Sequence, residues 1–369
     1  MRISYLFNSS TPSSNPGSIQ VVNTCNGISS FGHKITLITP GTGEKISLKE
    51  FYGIKNNIKL KKIKWFKKFP LGINYYLYSL VSIIYAIHLK TEVFITRNFF
   101  TLFLLNILKK RTIIEVHHDL GNEGRVVKFL FKNFDIFNNK NIIKIIAITN
   151  AVKRFLIKNY NIPSNKIEII PSASSLKFKF KKFKKKKKYN LGYFGSLDYT
   201  KGANFILSLS EIDKNNNYFI FGGNKKEALE LRKINKAKNL QINQSLPYSK
   251  VRDYISKMDI LLMPSNLKKI RSLGGVGNIA KYTSPLKLFD YMASGGLIIT
   301  SNTKVFKEIL NDKKNCIMVN NLNSKNWKKI ITGLDKKLIY INNLKRNAYN
   351  DSKEFTYLKR ARKIINFKL

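Results

Sequence analysis

The chain has 369 residues, of which 43% are hydrophobic and 12% aromatic, and it carries a formal net charge of +46 with a pI near 10.1. This apolar content excludes a disordered polar tail, and the length is sufficient for two domains with separate cores. The charge predicts attraction to nucleic acid, anionic membranes or phosphorylated substrates, although a general enrichment in Lys, Asn and Ile would raise it without any partner.

Apolar strands alternate with helical patterns along the whole chain, which is typical of parallel sheets with crossover helices. In the first half we predict strands at 2–7, 34–38, 92–96, 111–116 and 142–148, with helices that include 19–31 and 150–159. In the second half we predict strands at 191–195, 218–221, 259–263, 297–300 and 316–319, with helices at 203–212, 225–235 and 248–258. The predicted fold class is α/β, with two Rossmann-like doubly wound domains facing a cleft.

The N-terminus and the cysteines indicate a cytoplasmic protein. The first apolar run is too short for a signal-peptide core, and Cys25 and Cys316 lack metal-ligand spacing, as free thiols in a reducing cytosol would. The most apolar segment, 71–89, favours a buried or interfacial helix over a membrane span because it contains polar residues, among them Asn74, Ser79, Ser82 and His88.

A basic segment with interspersed aromatic residues precedes that apolar stretch. From Lys59 onward, lysines alternate with Trp65, Phe66 and Phe69. This pattern is expected of an interfacial element on anionic lipid, and it predicts peripheral contact with the inner face of the cytoplasmic membrane. A solvated basic loop before a core helix would give the same pattern.

The middle of the chain contains five consecutive lysines, 184–188. Like charges repel one another, so we predict a basic linker at 176–189 between the two domains. In doubly wound sheets ligands bind beyond the carboxyl ends of the strands, which directs attention to the loops after the strands of the second half.

Three of those loops have features of anion sites. One places Lys201 and Gly202 directly before a helix, another places Asn224 at a helix start, and a third is the glycine-bearing loop 266–283. Free amides at a helix N-terminus attract anions, and glycine lets the backbone approach a phosphate. Together the loops favour a nucleotide diphosphate as the ligand.

The third loop leads into an apolar helix whose start and stop signals are Ser284 as N-cap, Pro285 as first helical residue and Gly295-Gly296 as the stop. Its polar residues Lys287, Asp290 and Ser294 are spaced i, i+3, i+7 and therefore lie along one face. One interpretation is a simple ion pair at a helix edge. The other is a ligand site, in which lysine binds phosphate and the carboxylate accepts ribose hydroxyls.

Several of these segments resemble a known family. GYFGSLDYTKG, LLMPS and SPLKLFDYMASGGLIITSN resemble the donor-domain motifs of the GT-B glycosyltransferases of family four, which are retaining enzymes that use nucleotide sugars. In the first half, FGHKITLITP, VFITRNF and IIEVHHDL are similar to strands of the family's other domain, and EFTYLKRARKII resembles its final helix. The resemblance implies an acceptor-binding domain at 1–175, a donor-binding domain at 190–350, and a C-terminal helix at 351–369 that packs back on the first domain.

The resemblance also implies roles for individual residues. Lys201 and Lys287 would bind the diphosphate and Asp290 the ribose, with Gly202, Ser284, Pro285 and Leu286 also near the donor. Gly17 and Ser18 would border the phosphates from the acceptor side. His117 would lie near the reacting sugar, with His118 as the alternative and a structural histidine as the competing interpretation.

Three positions depart from the family pattern. Tyr282 occupies the place of the first of two glutamates, so contacts to the donor sugar differ from the family's. Ser196 replaces an arginine, which shifts phosphate binding toward the lysines, and the segment PSASS (171–175) lacks the usual acid.

The predicted function is transfer of a sugar from a nucleotide-diphosphate sugar to a saccharide or lipid-linked acceptor in cell-surface polysaccharide or lipopolysaccharide synthesis. We expect no metal and no other cofactor, since no Asp-x-Asp occurs in the sequence. The alternatives are a nucleotide-sugar epimerase of the same fold, a binding protein that has lost catalysis, or a basic nucleic-acid-binding protein. We expect no nucleic-acid partner, because lysine predominates over arginine and no known module is recognisable.

Overall fold

A computed structural model describes residues 1–43, 45–64, 69–120, 123–266, 268–271 and 278–367. The chain divides into two compact units, Met1–Ala173 with Thr356–Leu369, and Ser174–Phe355. Each unit is built around a parallel sheet with helices, so the predicted α/β class is confirmed.

The sheet of the first unit has the strand order β3-β2-β1-β4-β5-β6-β7. Its strands are β1 Arg2–Leu6, β2 Lys34–Pro40, β3 Lys59–Ile63, β4 Val93–Thr96, β5 Thr112–Val116, β6 Ile142–Ala147 and β7 Ile167–Ile169. The five predicted strands are confirmed to within two residues. The sequence pattern misses β3 and β7, because β3 is a lysine-rich edge strand and β7 is only three residues long.

The helices of this unit before the final segment are α1 Pro16–Ser29, α2 Leu48–Tyr52, α3 Leu71–His88, α4 Phe99–Ile107, α5 Arg125–Asn133 and α6 Asn150–Tyr160. Helix α1 begins three residues earlier than predicted, because Pro16 takes the first helical position after Asn15. Among the described helices, none combines the length and apolarity that a membrane crossing requires.

The sheet of the second unit has the order β10-β9-β8-β11-β12-β13. Its strands are β8 Asn190–Phe194, β9 Asn217–Phe221, β10 Leu240–Asn243, β11 Ile260–Met263, β12 Leu297–Ser301 and β13 Ile317–Val319. Its helices are α7 Ala203–Ile212, α8 Lys225–Ile234, α9 Tyr248–Ile255, α10 Leu286–Ser294, α11 Ser324–Thr332 and α12 Leu338–Asp351. The predicted strands are confirmed within one residue; the short β10, set among polar residues, escapes the pattern.

The segment 176–189, predicted as a basic linker between the domains, belongs to the second unit. Phe183 and Tyr189 are buried there with their rings stacked at 4.9 Å between centroids, while Lys184–Lys188 are exposed. Lys186 forms an ion pair of 2.6 Å with Asp259. Mutual repulsion therefore keeps the lysines exposed to solvent, while the buried aromatic residues on either side attach the segment to the second unit.

The C-terminal helix α13, Tyr357–Ile365, lies in the first unit and packs on α1. The contact is close at Gly27, where an added Cβ would lie 2.6 Å from the Tyr357 carbonyl oxygen. A side chain at this position would separate the two helices.

Candidate functional site

Helix α10 carries the polar stripe that the sequence singles out. It starts at Leu286, one residue later than predicted, because Pro285 remains extended and takes the N-cap position without a side-chain hydrogen bond. The assignment of Ser284 as N-cap is therefore wrong. Gly295 ends the helix in the left-handed region at φ 62°, as predicted.

The stripe is not an ion pair. Among the described residues, no contact within salt-bridge distance joins Lys287 and Asp290. Lys287 Nζ instead lies 4.1 Å from the centroid of the Tyr193 ring, a cation–π geometry. It also lies beside Gly195, where an added Cβ would be 3.3 Å from it. The lysine thus points across the carboxyl end of β8.

The ammonium of Lys287 is costly to keep charged. Burial, and then the neighbouring positive charge of Lys201, lower the pKa of Lys287 to about 7. Burial also lowers the pKa of Lys201, while Asp198 opposes that shift. Among the described residues neither ammonium has an ion-pair partner. Two half-buried cations without a counterion form a site to which an anion would be attracted.

The loop that carries Lys201 is tightly built. The Tyr193 hydroxyl lies 2.7 Å from the Ser196 carbonyl oxygen and 3.1 Å from that of Lys201, and Asp198 accepts a hydrogen bond from the Thr200 amide. One aromatic residue therefore supports the turn that carries Lys201 through its hydroxyl and contacts Lys287 with its ring. Ser196 accepts a hydrogen bond from the Asp198 amide and so stabilises the same turn.

Gly202 follows Lys201 and is required by the backbone. Its φ is +94°, and an added Cβ would lie 1.6 Å from the Pro264 carbonyl oxygen, just beyond β11. The predicted position of Gly202 at a helix start is confirmed, since α7 begins at the next residue. The geometry shows that this glycine allows two loops at the edge of the sheet to pack together.

Asp290 is buried, with 5% of its surface exposed. Its Oδ1 accepts hydrogen bonds from Ser174 Oγ at 2.6 Å and from the Tyr248 hydroxyl at 2.9 Å. Burial raises the pKa of Asp290 to about 7, although both hydrogen bonds act in the opposite direction. This carboxyl group changes charge near neutral pH.

The remaining predicted donor residues lie at the start of α10. Tyr282, Ser284 and Pro285 are half-buried, and Leu286 is buried. The glycine-bearing loop that precedes them falls partly outside the described residues, at 267 and 272–277. The structure thus places Tyr282 to Leu286 beside the helix start, next to the Lys287 and Asp290 positions.

In the first unit, a buried charge cluster surrounds Glu115 at the end of β5. Glu115 is fully buried and forms ion pairs of 2.6 Å with Arg97 and with Arg360. The two arginines hold the pKa of the carboxyl group well below its usual range despite burial. Gln20 donates a further hydrogen bond of 3.2 Å.

His117 joins this cluster. Its Nε2 lies 2.5 Å from Glu115 Oε1, and 23% of its side chain is exposed. Burial, and then the charge of Arg97, lower the pKa of His117 to about 4, against the effect of Glu115. His117 is therefore a neutral imidazole at physiological pH.

His118 lies in a different environment. Its Nδ1 donates to the backbone oxygen of Asp119 at 2.7 Å, its Nε2 is 3.8 Å from Glu123, and its ring meets Phe99 edge-on. Of the two predicted histidines, only His117 contacts the Glu115 cluster.

Gly17 and Ser18 lie in the first turn of α1, and their surroundings differ. The Ser18 hydroxyl is buried and hydrogen-bonded to Tyr52 at 2.5 Å and to Thr11 at 3.0 Å, so its side chain is already used internally. Gly17 lies beside Arg97, whose Nη1 would be 3.7 Å from an added Cβ.

Sequence reasoning assigns no role to several residues of these clusters, namely Arg97, Glu115, Ser174, Tyr193, Tyr248 and Arg360. All of them except Tyr248 stand inside quoted segments, and for Glu115 a charged residue within an apolar strand is a signal that could have identified it. Ser174 and Arg360 give no such signal, because their partners are distant in sequence.

Comparison with known proteins agrees with this architecture. Residues 174–351 match the family model described as glycosyl transferases group 1, and residues 17–176 match the model described as Glycosyltransferase Family 4. No curated protein matches the chain.

Solved structures match over nearly the full length at low sequence identity. Sucrose-phosphate synthase from Thermosynechococcus elongatus has a TM-score of 0.73 at 12% identity, covering 98% of this chain and 97% of that one. HepE from Anabaena in complex with UDP-glucose has a TM-score of 0.69 at 13% identity, and the match covers 99% of this chain and 98% of that one. WaaG, a glycosyltransferase involved in lipopolysaccharide biosynthesis, has a TM-score of 0.66 at 12% identity, and the match covers 99% of this chain and 100% of that one.

At such identities these structures show the fold alone, and the family models supply the class. The sequence predicts a glycosyltransferase, with an epimerase and a nucleic-acid-binding protein as alternatives. Since the two models together extend from residue 17 to residue 351, the chain belongs to the glycosyltransferases and has the GT-B fold.

Proposed function

We propose that the protein transfers a sugar from a nucleotide-diphosphate sugar to a saccharide or lipid-linked acceptor in the synthesis of cell-surface polysaccharide or lipopolysaccharide. The observation that carries the proposal is the pair of half-buried lysines, Lys201 and Lys287, without an ion-pair partner among the described residues. A diphosphate would supply the missing negative charge and raise both pKa values.

Asp290 supports the same ligand. Its carboxyl group lies three residues after Lys287 on α10, and a carboxylate is the usual acceptor for ribose hydroxyls in nucleotide sites. Ser174 and Tyr248 donate to Oδ1, and Oδ2, which has no hydrogen-bond partner in the described part of the chain, would accept from the ribose.

The proposed mechanism is electrostatic. Positive charge on Lys201 and Lys287, with the backbone amides of Ser284 to Leu286 and the α1 start at Gly17, would stabilise the leaving diphosphate without a metal ion. Retention at the anomeric carbon through front-face attack is part of the proposal, with His117 near the reacting sugar. Tyr282 replaces an acidic residue, so sugar contacts at that position would be neutral.

The relatives guide the choice of ligands. HepE is described in complex with UDP-glucose, and WaaG acts in lipopolysaccharide biosynthesis. UDP-sugars are therefore the first donors to test, and lipopolysaccharide-like saccharides are the first acceptors.

A thermal-shift screen of UDP-, GDP- and ADP-sugars tests the donor proposal. One of these sugars is expected to raise the melting temperature of the wild-type protein. Lys287→Ala and Asp290→Ala should reduce the increase, whereas Lys329→Ala, which removes an exposed lysine on α11, should preserve it. If no nucleotide sugar stabilises the wild type, or if Lys287→Ala binds as well, the proposal is wrong.

We also propose that the enzyme is cytoplasmic and makes peripheral contact with an anionic membrane, and a specific observation favours the membrane contact. Helix α3 exposes an apolar stripe on the face opposite its core contacts, with Ile84 67% exposed, Ile73 48% and Leu80 45%. The lysine-rich edge strand β3 packs next to α3, and Lys61 Nζ lies 4.4 Å from the Tyr85 ring centroid. Apolar side chains beside lysines are what an interfacial surface on anionic lipid requires. Of the predicted aromatic residues, Trp65 and Phe66 lie outside the described residues, and Phe69 is 47% exposed.

Sedimentation with vesicles tests this contact. The protein should sediment with vesicles that contain anionic lipid and not with neutral vesicles. Glutamine in place of Lys59, Lys61 and Lys62 should reduce the bound fraction at physiological salt, and Ile84→Ser should do so at any salt concentration. Unchanged sedimentation of both variants would refute the proposed surface.

A further inference from the structure

The charge cluster around Glu115 connects His117 to the far end of the chain. Arg360, on α13, is 3% exposed and donates from Nη2 to Glu115 Oε2 at 2.6 Å. Its other nitrogens donate to Thr24 Oγ1 at 3.0 Å and to the Pro171 carbonyl oxygen at 3.1 Å. With each of its nitrogens bonded, this guanidinium has a fixed position.

The other carboxylate oxygen of Glu115 is bound by Arg97. Glu115 Oε1 accepts from Arg97 Nη2 at 2.6 Å, and Arg97 Nε is held by the Tyr5 hydroxyl at 3.0 Å. Two arginines therefore fix both oxygens of one buried carboxylate. Because that carboxylate is ionised, it can only accept hydrogen bonds.

This settles which nitrogen of His117 carries the proton. Since Glu115 accepts, His117 Nε2 is the donor of the 2.5 Å contact. The charged groups of the cluster are one carboxylate and two guanidiniums, which already leave one positive charge, so a second proton on the imidazole is disfavoured. Burial raises the pKa of Tyr5 and of Cys25, and both remain neutral. His117 Nδ1 then carries a lone pair, and it has no hydrogen-bond partner among the described residues.

We propose that Arg360 and Arg97 are positioning residues that fix Glu115, so that Glu115 holds His117 as a neutral imidazole protonated at Nε2. The effect of this positioning on the reaction rests on the proposed function, in which His117 lies near the reacting sugar. The tautomer and its dependence on the two arginines rest only on the geometry of the first unit.

Nitrogen-15 NMR of the imidazole side chains tests the tautomer without any substrate. The chain has four histidines, and the spectrum of His117→Gln assigns the signal of His117. The wild type should show a neutral ring protonated at Nε2 between pH 6 and 8. A ring protonated at Nδ1, or one that titrates in this range, would overturn the proposal.

Variants test the role of Arg360. Arg360→Met should give mixed His117 tautomers and reduce kcat for UDP release from UDP-glucose by about 10- to 100-fold, as for other partners that orient a histidine, with a smaller change in KM. Arg360→Lys keeps the positive charge, so it should partly restore both the wild-type His117 tautomer and kcat. Arg362→Met, which removes an exposed arginine from the same helix, is the matched control and should change neither.

The outcomes separate this proposal from the donor proposal. If both Arg360 variants keep the wild-type tautomer and kcat, Arg360 has no positioning role. If no nucleotide sugar binds, the donor proposal fails while the tautomer experiment remains decisive. If Arg360→Met does not fold, Arg360→Lys and the wild-type spectrum still decide the question.

Discussion

Donor binding should be coupled to proton transfer at two groups of the second unit. In the empty protein, Lys287 and Asp290 each have a pKa of about 7, Lys287 lowered from 10.5 and Asp290 raised from 3.8. A bound diphosphate favours the charged ammonium, and ribose hydroxyls favour the ionised carboxylate. Binding of UDP-glucose therefore adds a proton to Lys287 and removes one from Asp290.

The size and sign of this effect depend on pH. At pH 8, roughly nine-tenths of Lys287 is uncharged and roughly nine-tenths of Asp290 is already ionised, so binding takes up about 0.8 proton per site. At pH 6 the fractions reverse, and about 0.8 proton is released. Near pH 7 the proton uptake by Lys287 and the proton release by Asp290 cancel. Affinity should thus be greatest near pH 7 and fall on either side.

Isothermal titration calorimetry in buffers of different ionisation enthalpy measures these protons directly. UDP-glucose is the suitable probe because both ends of its diphosphate are esterified, so that the ligand does not titrate in this range. Lys287→Met should abolish the uptake at pH 8 and keep the release at pH 6, and Asp290→Asn should do the opposite. Lys329→Met should behave as the wild type. Binding without net proton exchange at pH 6 and pH 8 would refute the reasoning.

Further predictions concern stability and metal dependence. In urea titrations, Gly202→Ala should lower the free energy of unfolding by at least about 1–3 kcal/mol, because the added Cβ would overlap the Pro264 carbonyl oxygen at a positive φ. Gly333→Ala is the control, since Gly333 has φ −80° and an added Cβ would have no contact shorter than 3.4 Å. It should lower the free energy of unfolding by less than Gly202→Ala does. Lys287→Met should raise the melting temperature of the empty protein below pH 7, and the gain should vanish as pH rises toward 10.5, since the penalty for the charged lysine disappears over that range. Equal melting temperatures at pH 6 would contradict the lowered pKa. EDTA should leave UDP release from UDP-glucose unchanged, and loss of activity that Mg²⁺ restores would disprove the metal-free proposal.

Local patterns predicted much of the fold. Apolar strands alternate with amphipathic helices, and the punctuation by Gly202 before α7 and by Gly295 after α10 determines where those helices begin and end. The sequence pattern does not predict the edge strand β3, because lysines replace the apolar residues that are typical of buried strands. Its neighbours, and not its own composition, make it a strand.

The polar contacts of the site were only partly predictable. Spacing alone places Lys287 and Asp290 on one face of α10, and the structure shows that they do not pair with each other. One donor to Asp290 is Ser174, 116 residues earlier, and one partner of Glu115 is Arg360, 245 residues later. Such contacts depend on tertiary packing, which has no periodic signal in the sequence. Ser18 shows the opposite case, because a motif position that suggests ligand contact has its hydroxyl buried in internal hydrogen bonds.

A crystal structure of the protein with UDP-glucose tests the central claim most directly. The account predicts diphosphate oxygens within hydrogen-bonding distance, about 3 Å, of Lys201 and Lys287 Nζ, and ribose hydroxyls on Asp290. If the diphosphate bound elsewhere while Lys287 kept its position over the Tyr193 ring, the account of this donor site would be contradicted.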